Sequence, residues 1–199
     1  ISFYFKYKKI IKLKSNTKNL LDVGGGIGDF TRYLNRKHIN AVNYDPYTKD
    51  AEIKSINLLN IKHKYDIITM WHSLEHVHNI DKLLSRLHSL LHDSGYLIIA
   101  LPNQNAYERS KYFVDTWVAY DIPRHLYHFN YTSFNSLMKK YKFKILNFKF
   151  LCQDLFFNVY MSNKDQYNSF KLFSILIECL YNIFLDKKKS SSFIFICKK

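Results

Sequence analysis

The sequence predicts an α/β fold with a mostly parallel sheet, and two observations carry this prediction. Short, almost wholly apolar segments alternate along the chain with longer segments whose apolar residues recur at helical spacing. Four of the five glycines also lie within residues 24–28, directly after the first apolar segment. Alternation of this kind is typical of parallel strands that are joined by helical crossovers.

The first elements follow in order from the N-terminus. Residues 3–13 are predicted to form a basic leading helix, and the apolar segment 19–24 a short buried strand. Residues 29–38 have helical apolar spacing after the glycines. Two further strands are predicted at 39–45 and 51–57.

The middle of the chain repeats the alternation. Residues 65–71 are nearly all apolar, which is typical of a central parallel strand. Residues 79–92 form an amphipathic helix with leucines on one face, followed by a turn at 93–95 and a strand at 96–102. Residues 131–141 form another helix.

The C-terminal part supplies the closing strands. These are predicted at 143–151 and 192–199, which brings the number of strands to seven. A lysine-punctuated, helix-prone insertion separates them, over about residues 153–190. We expect the whole chain, residues 1–199, to form a single domain, since two domains of this length would be cramped.

The formal net charge of +14 has two interpretations. The first is a polyanionic partner, either a nucleic acid or an anionic membrane surface. The second is a bias in amino-acid composition, because nearly all of the basic residues are lysines and nucleic-acid readers rely on arginine. We favour the second interpretation and do not expect a nucleic-acid partner.

Cysteine usage and apolar segments bear on location. Cys152, Cys179 and Cys197 are odd in number and far apart, which favours a reducing compartment and hence the cytoplasm. The longest apolar stretch, residues 172–185, contains Glu178 and is too short to span a bilayer. It fits an interfacial helix at a membrane, a substrate lid or a dimer face, but we expect it to be buried against its own domain.

The glycines follow the spacing D-x-G-x-G-x-G, formed by Asp22, Gly24, Gly26 and Gly28. The glycine spacings of dinucleotide-binding and P-loop proteins are absent. A carboxylate before the turn attracts an ammonium group, and Asp45 at the end of the next strand accepts hydrogen bonds from ribose hydroxyls. The predicted ligand therefore has a ribose and a cationic amine, as S-adenosylmethionine (SAM) does.

Five blocks of sequence follow one another over about residues 15–150: "LLDVGGGIGDF", "NYDP", "YDIITMWHSLEHVHN", "GYLIIALPN" and "DIPRHLYHFN". Taken in this order, they resemble the class I SAM-dependent methyltransferases. The block "DIPRHLYHFN" closely resembles one found in a bacterial subfamily that is related to the ubiquinone-biosynthesis O-methyltransferases and is often associated with glycan pathways.

The resemblance implies both a fold and an activity. The fold is a Rossmann-like, mostly parallel, seven-stranded sheet with helices on both faces and an antiparallel last strand, preceded here by the helical insertion. The activity is transfer of a methyl group from SAM to a small-molecule or glycan-precursor acceptor, most often at oxygen. The oligomeric state does not follow from it.

The predicted cofactor residues lie at strand ends. The resemblance implies that Asp45 binds the ribose hydroxyls and that Asn57 lies near the adenine amino group, where the family often has Asp. Trp71 ends the fourth predicted strand and is placed to form a wall of the pocket. The other predicted cofactor residues are Asp22, Gly24, Gly25, Gly26 and Gly28.

The predicted catalytic and acceptor residues lie in two histidine-rich segments. His125 is the first choice for the general base that removes the acceptor proton, and His72 is the second. Arg124 is suited to clamp a carboxylate or phosphate on the acceptor. An alternative of equal weight is a packed lid whose histidine and tyrosine side chains bond to the backbone. The remaining predicted acceptor residues are Trp117, Tyr127 and His128.

His72, Glu75 and His76 form the sequence H-x-x-E-H. Some quinone-pathway O-methyltransferases hold a divalent ion with an E-x-x-E-H set at this place, and His72 stands where that set has its first Glu. We favour the alternative in which Glu75 caps a helix and His76 is hydrogen-bonded in the pocket wall, so no metal is predicted.

Two other functions stay open at this point. The first is a methyltransferase that acts on RNA or DNA, which the positive charge favours but the absence of an N/D-P-P-Y motif disfavours. The second is a protein that keeps the fold and binds SAM without turnover.

Overall fold

In the computed structural model, which describes residues 2–48 and 58–199, six strands pair into one sheet. Their order across the sheet is β2-β1-β3-β4-β6-β5; the first four run parallel, and β6 is antiparallel to both of its neighbours. The predicted mixed sheet is confirmed with six strands rather than seven, because the strand predicted at 51–57 lies outside the described residues. The strands are β1 (Asn19–Val23), β2 (Asn40–Tyr44), β3 (Tyr65–Trp71), β4 (Leu91–Pro102), β5 (Lys144–Phe150) and β6 (Ser192–Lys198).

Helices connect these strands, and the predicted helices are all present. Asn79 begins α3, where its side chain accepts a hydrogen bond from the Lys82 N–H, and Asn130 and Ser133 form a reciprocal cap at the start of α5. The short helix α4 had not been predicted. The helices are α1 (Phe3–Leu13), α2 (Asp29–Asn35), α3 (Ile80–Leu90), α4 (Tyr107–Lys111), α5 (Tyr131–Lys140), α6 (Cys152–Ser162) and α7 (Ser169–Leu185).

The turn predicted at 93–95 is wrong, because β4 starts directly after α3 and includes these residues. The pairing of β3 with β4 is irregular here: Tyr65 lies opposite Leu91, whereas Ile67 lies opposite Tyr96. The extra residues of β4 therefore bulge out of the ladder. Gly95 permits this, since a Cβ atom on it would lie 2.8 Å from the Leu91 side chain.

Two apolar cores sandwich the sheet because successive strand residues point to opposite faces. Leu20 and Ile67 pack with the buried residues of α1 and α2, whereas Leu21 and Ile68 pack with those of α3 and α5. Burial on both faces accounts for the nearly continuous apolar sequence of β3.

A third core lies among α4, α6 and α7, so the predicted helical insertion between the last two strands is confirmed. Leu155 of α6 packs with Ile175, Cys179 and Ile183 of α7. The expectation that the long apolar helix is buried against its own domain holds for this face only, because most of its other apolar side chains are exposed.

Candidate functional site

The first cavity, of about 680 Å³, opens where β1, β2 and β3 end at the same edge of the sheet. Ligands of open α/β sheets bind at this edge, outside the carboxyl ends of the strands. Helix α3 and the loop before α5 complete the walls. The lining includes Val23, Gly24, Tyr44, Asp45, Tyr47, Met70, His72, Ser73, His76, Arg86, Arg124 and Leu126.

The glycines after β1 serve different purposes. Gly24 has a φ of +75°, and a Cβ atom there would collide with the Ser73 side chain, which hydrogen-bonds the Val23 carbonyl at 2.8 Å. Gly26 has a φ of +57°, and a Cβ atom there would have no other atom within 4 Å. Gly24 thus lets the chain after β3 approach the loop, whereas Gly26 faces open space.

Asp45 ties the end of β2 to the glycine loop. Its carboxylate accepts the Gly26 N–H at 2.8 Å through Oδ2 and the Tyr47 N–H at 2.9 Å through Oδ1. Asn43, two residues earlier, donates to the Gly26 carbonyl at 2.8 Å. The position of the loop is therefore fixed by side chains of β2, and Asp45 stays in the wall of the first cavity.

The other two glycines of the loop, Gly25 and Gly28, lie against buried side chains and at the start of α2. A Cβ atom on Gly25 would collide with the Asn43 amide and the Asp22 carboxylate, so this residue packs against protein. Gly28 begins α2 with a φ of +79°. Asn57, which was predicted to lie near the adenine amino group, is outside the described residues.

Asp22 and Trp71 lie on the opposite face of the sheet from the first cavity. Asp22 is buried and accepts a hydrogen bond from the Thr69 hydroxyl at 2.5 Å, and its burial raises the pKa of the carboxyl group to about 6. The Trp71 ring packs edge-on against Phe30 at 6.2 Å and lies 4.8 Å from the Lys6 ammonium.

These positions correct the prediction for Trp71 as a wall of the pocket. Successive strand residues alternate between faces, so Met70 lines the first cavity and Trp71 packs against the side of α1 and α2. The same alternation puts Val23 in the lining and Asp22 beneath the loop.

A second cavity, of about 300 Å³, adjoins the first. His72 and Arg124 line both cavities, so the two meet at these side chains. The other lining residues of the second cavity are Pro102, Val118, Ala119, Asp121, His125, Asp154, Phe157, Asn158 and Ser192.

His72 is held between two carboxylates. Its Nε2 lies 3.2 Å from Oδ2 of Asp154, and its Nδ1 lies 3.6 Å from Oε1 of Glu75. Burial disfavours the charged ring, but the two carboxylates outweigh this effect and raise the pKa of His72 to about 9. The residue has a φ of +52°, a rare conformation for a side chain with a Cβ atom and one that is concentrated at functional sites.

His125 has the opposite electrostatic character. Its Nδ1 donates to the Ala119 carbonyl at 2.8 Å, because a carbonyl only accepts, so Nε2 of the neutral ring carries the lone pair. Desolvation lowers the pKa of His125 below its usual value despite that hydrogen bond and the nearby Glu75. Nε2 lies 3.7 Å from Oδ2 of Asp121 and 4.0 Å from Oε1 of Glu75.

Glu75 lies at the centre of this group of histidines. Its side chain is 1% exposed, and neither carboxylate oxygen accepts a hydrogen bond from any residue that the structure describes. Ligand atoms of Glu75, His76 and His125 all lie within 4.8 Å of one another, an arrangement that could hold a divalent ion. His72 is not part of this group, so the residues that converge differ from the H-x-x-E-H set of His72, Glu75 and His76.

Of the predicted acceptor residues, one lines the cavities and the others pack within the protein. Arg124 lines both cavities and forms an ion pair with Asp121 at 2.6 Å. The Tyr127 hydroxyl donates to the His78 carbonyl at 3.4 Å, and Nε2 of His128 lies 3.1 Å from the Tyr120 carbonyl. Trp117 is buried in the core of α4, α6 and α7.

The structure thus brings Arg124, His125 and His72 to the second cavity, whereas Tyr127, His128 and Trp117 are absent from both described cavity linings. The contacts of Tyr127 and His128 agree with the alternative of a packed segment bonded to the backbone, whereas Trp117 precedes that segment and its indole nitrogen has no hydrogen-bond partner among the described residues.

Asn43 and Asp154 are among the polar residues at the site that had not been predicted. Asn43 braces the glycine loop, and strand alternation within β2 could have indicated its inward direction. Asp154 lies in the first turn of α6, far along the chain from His72. Nothing in its local sequence distinguishes it from a carboxylate at an ordinary helix start.

Comparison with known proteins gives one family. A family model described as "Methyltransferase domain" matches residues 5–147, well over half of the chain. No curated protein matches the sequence significantly.

Solved structures resemble the whole fold. A SAM-dependent methyltransferase from Archaeoglobus fulgidus has a TM-score of 0.65 at 16% identity, covering 100% of this chain and 95% of that one. An O-methyltransferase from a Brevibacillus brevis multienzyme, in complex with S-adenosylhomocysteine, has a TM-score of 0.64 at 15% identity, and the match covers 98% of this chain and 71% of that one. Haemonchus contortus phosphoethanolamine N-methyltransferase 2, in complex with SAM, has a TM-score of 0.64 at 15% identity, and the match covers 98% of this chain and 52% of that one. At these identities the likeness shows the fold.

Proposed function

Because the chain belongs to the methyltransferase-domain family, we propose that it transfers the methyl group of SAM to an oxygen atom of a small-molecule or sugar-like acceptor. The observation that carries the proposal is the shared wall of the two cavities, formed by His72 and Arg124. Methyl transfer needs the methyl donor and the acceptor atom to meet, and two adjoining cavities provide for this.

The residues of the first cavity fit SAM. A volume of about 680 Å³ suits such a ligand, since small-molecule sites usually enclose about 300–1,000 Å³. The open space at Gly26 leaves room for a ligand beside the backbone. In our proposal, Asp45 accepts the ribose hydroxyls, and Gly24, Gly26 and Gly28 contact the methionine and ribose portion. When bound, SAM supplies an electrophilic methyl group on its sulfonium.

We assign the second cavity to the acceptor and His125 to the general base. The lowered pKa keeps the ring neutral near pH 7, and Nε2 is the atom with the free lone pair. Once Nε2 takes the acceptor hydroxyl proton, Glu75 and Asp121 stabilise the charge that forms on the ring. The acceptor oxygen would then form the new bond with the methyl carbon of bound SAM while the sulfur–methyl bond breaks, the electron pair stays on sulfur and S-adenosylhomocysteine leaves.

Arg124 orients the acceptor in this proposal, and His72 contributes positive charge to the shared wall. With a pKa of about 9, His72 is protonated near pH 7 and its two N–H groups face Asp154 and Glu75, so it has no lone pair with which to serve as the base. Arg124 is well exposed and keeps the N–H donors of Nη1 beside the Nε and Nη2 groups that bond Asp121, so it suits an anionic group on the acceptor.

Glu75 serves as a counter-charge in this proposal, with no metal ion. The His72 Nδ1 lies 3.6 Å from Oε1 of Glu75, and the ring is positively charged near pH 7. A divalent ion on Glu75 would lie beside this cation, and the repulsion between them opposes binding.

Substitution of Asp45 tests the cofactor assignment. Asp45→Ala removes both carboxylate acceptors, and hydrogen bonds to charged groups contribute about 1.5–3 kcal/mol each, so we expect SAM to bind at least tenfold more weakly in calorimetry. Asp29→Ala is the matched control, because it removes an exposed carboxylate that pairs with Arg32 on α2. Unchanged affinity of the Asp45 variant would contradict the assignment.

Transfer itself is tested with isotope-labelled SAM and two acceptor pools, a small-molecule extract and total RNA. Label in the small-molecule fraction supports the proposal. Label in RNA would favour the nucleic-acid alternative that the charge of +14 suggested. Tight SAM binding with no transfer to either pool would favour the non-catalytic alternative.

A further inference from the structure

One side of α7 exposes a continuous apolar surface. The side chains of Phe170 and Phe184 are 84% and 83% exposed, at opposite ends of the helix. With Leu185 and the exposed apolar residues between them, they recur at helical spacing and span about 140° of the helix circumference, at about 100° per residue. We call this surface the outer α7 face; it consists of Phe170, Phe173, Ile177, Leu180, Tyr181, Phe184 and Leu185.

The opposite side of the same helix is already buried. Ile175, Cys179 and Ile183 are at most 2% exposed within the third core. Glu178, the one acidic residue of α7, points toward α4, where it bonds Tyr107 and Lys111. The outer α7 face therefore does not contribute to the packing of the domain. Large exposed apolar patches of this kind mark interaction sites.

Lysines border the outer α7 face. Lys171 lies in its first turn, and Lys187 and Lys188 follow its end, all of them exposed. Lys187 also lines a shallow groove together with Phe5, aromatic residues of β5 and a group of lysines. We call this groove the lysine groove; its lysines are Lys8, Lys9, Lys12, Lys149 and Lys187.

The lysine groove holds cations close together. Desolvation and the neighbouring Lys149 lower the pKa of Lys9 to about 8. Aromatic side chains of α1 accompany these lysines, and the Lys9 ammonium lies 4.6 Å from the centre of the Phe5 ring. An anionic group in the groove would relieve the repulsion among the lysines.

We propose that the outer α7 face and the lysine groove together bind the surface of a bilayer that contains anionic phospholipids. Interfacial helices combine an apolar face that enters the acyl boundary with lysines that meet the headgroups, and here the two features adjoin at Lys187. The contact is interfacial, because the 17 residues of α7 rise only about 25 Å. None of the helices in the described ranges is long and apolar enough to cross a membrane.

Charge favours this occupant over a second copy of the chain. Each copy carries a net charge of +14, and the lysines lie next to the outer α7 face. Dimerisation through this face would bring like charges together, whereas anionic headgroups attract them.

Vesicle flotation with the full chain tests the proposal. We expect the protein to float with vesicles of phosphatidylcholine and phosphatidylglycerol, to float much less with phosphatidylcholine alone, and to be released by salt. The double variant Phe173→Gln/Phe184→Gln should bind at least tenfold more weakly. Ile122→Gln is the control, since it removes an apolar side chain of similar exposure outside α7.

A second pair of variants tests the lysines. Lys187→Glu/Lys188→Glu should also weaken binding at least tenfold, because each lysine near an anionic surface contributes about a fivefold increase in affinity. Lys62→Glu/Lys64→Glu makes the same change of charge at exposed positions that are distant in sequence from α7. It should weaken vesicle binding much less.

Three results would overturn the proposal. The first is failure of the wild-type protein to float with anionic vesicles. The second is binding that the lysine variant loses but the Phe173→Gln/Phe184→Gln variant keeps, which would indicate general adsorption by charge. The third is a dimer in analytical ultracentrifugation that this same phenylalanine variant dissociates, since a second copy would then cover the face.

Discussion

The two cavities that meet at His72 are built in different ways. The first cavity opens at the ends of three neighbouring parallel strands, and backbone hydrogen bonds from Gly26 and Tyr47 fix Asp45 in its wall. The second cavity is assembled from the loop before α5, from α6 and from the start of β6. In it, His72 contacts the Asp154 side chain of α6, and His125 bonds the Ala119 carbonyl of the loop.

This difference separates what the fold provides from what the individual chain adds. A cavity at parallel strand ends follows from the topology of the sheet, so it suits the cofactor that the family shares. A cavity made by a loop and an inserted helix can vary without disturbing the sheet. We therefore expect changes in the second cavity to alter chemistry and acceptor choice, and changes in the first to alter cofactor binding and stability.

The largest expected effect is at His125 in the second cavity. His125→Ala removes the proposed base, and general-base catalysis contributes about 10²–10⁴-fold, so we expect methyl transfer to slow by that factor. Binding of SAM should not change, because His125 does not line the first cavity. Transfer is measured with labelled SAM and a small-molecule extract, and SAM binding by calorimetry.

His128→Ala provides the matched control in the same segment. Its ring bonds the Tyr120 carbonyl and lies outside the second cavity, so transfer should stay within a few-fold of the wild-type rate. Full activity of His125→Ala would remove it as the base, and weaker SAM binding in that variant would show that the two cavities are not independent.

The same difference accounts for what the sequence could predict. The positions of Asp45 and the glycine loop could be predicted because strand ends and glycine spacing are local patterns with a known place in the fold, and the structure puts Asp45 and Gly24 in the lining of the first cavity. Asp154 and Phe157 were missed, since their approach to the site depends on how α6 packs, which no local pattern records. Trp71 was assigned from its place at the end of a strand, although its parity relative to Met70 already put it on the other face.

The helical insertion shows the same limit. It was predicted as a helix-prone segment without a division into α6 and α7, and which face α7 buries depends on the partner that packs against it. Both sides of the helix are apolar, so the pattern alone does not distinguish the side that holds Ile175 from the side that holds Phe173.

The next largest effect is expected at two glycines of the loop after β1, and they separate stability from binding: Gly24 lines the first cavity, and Gly26 faces open space. Gly24→Ala adds a Cβ atom that collides with Ser73 at a positive φ, so we expect the free energy of unfolding to fall by about 2–5 kcal/mol. Gly26→Ala has the same backbone strain without the collision and should cost only about 1–2 kcal/mol. Urea unfolding measures both variants.

Binding should distinguish the two glycine variants in the opposite way. Gly26→Ala introduces a methyl group into space that we assign to SAM, so its affinity for SAM should fall although its fold is kept. If Gly26→Ala binds SAM as well as the wild type, the open space at this residue is not part of the cofactor site. The assignment of the glycine loop to SAM binding would then be wrong at this residue.

The smallest expected effect is that of removing divalent ions. We propose that Glu75 acts as a counter-charge to His72 and His125, so methyl transfer should be unchanged after dialysis against EDTA. Glu75→Gln should nevertheless slow transfer, because it removes the carboxylate that stabilises the protonated His125 ring. Loss of activity with EDTA and its recovery with added Mg²⁺ or Zn²⁺ would instead assign Glu75, His76 and His125 as metal ligands, and the chemistry of the second cavity would then depend on an ion rather than on charge pairing among side chains.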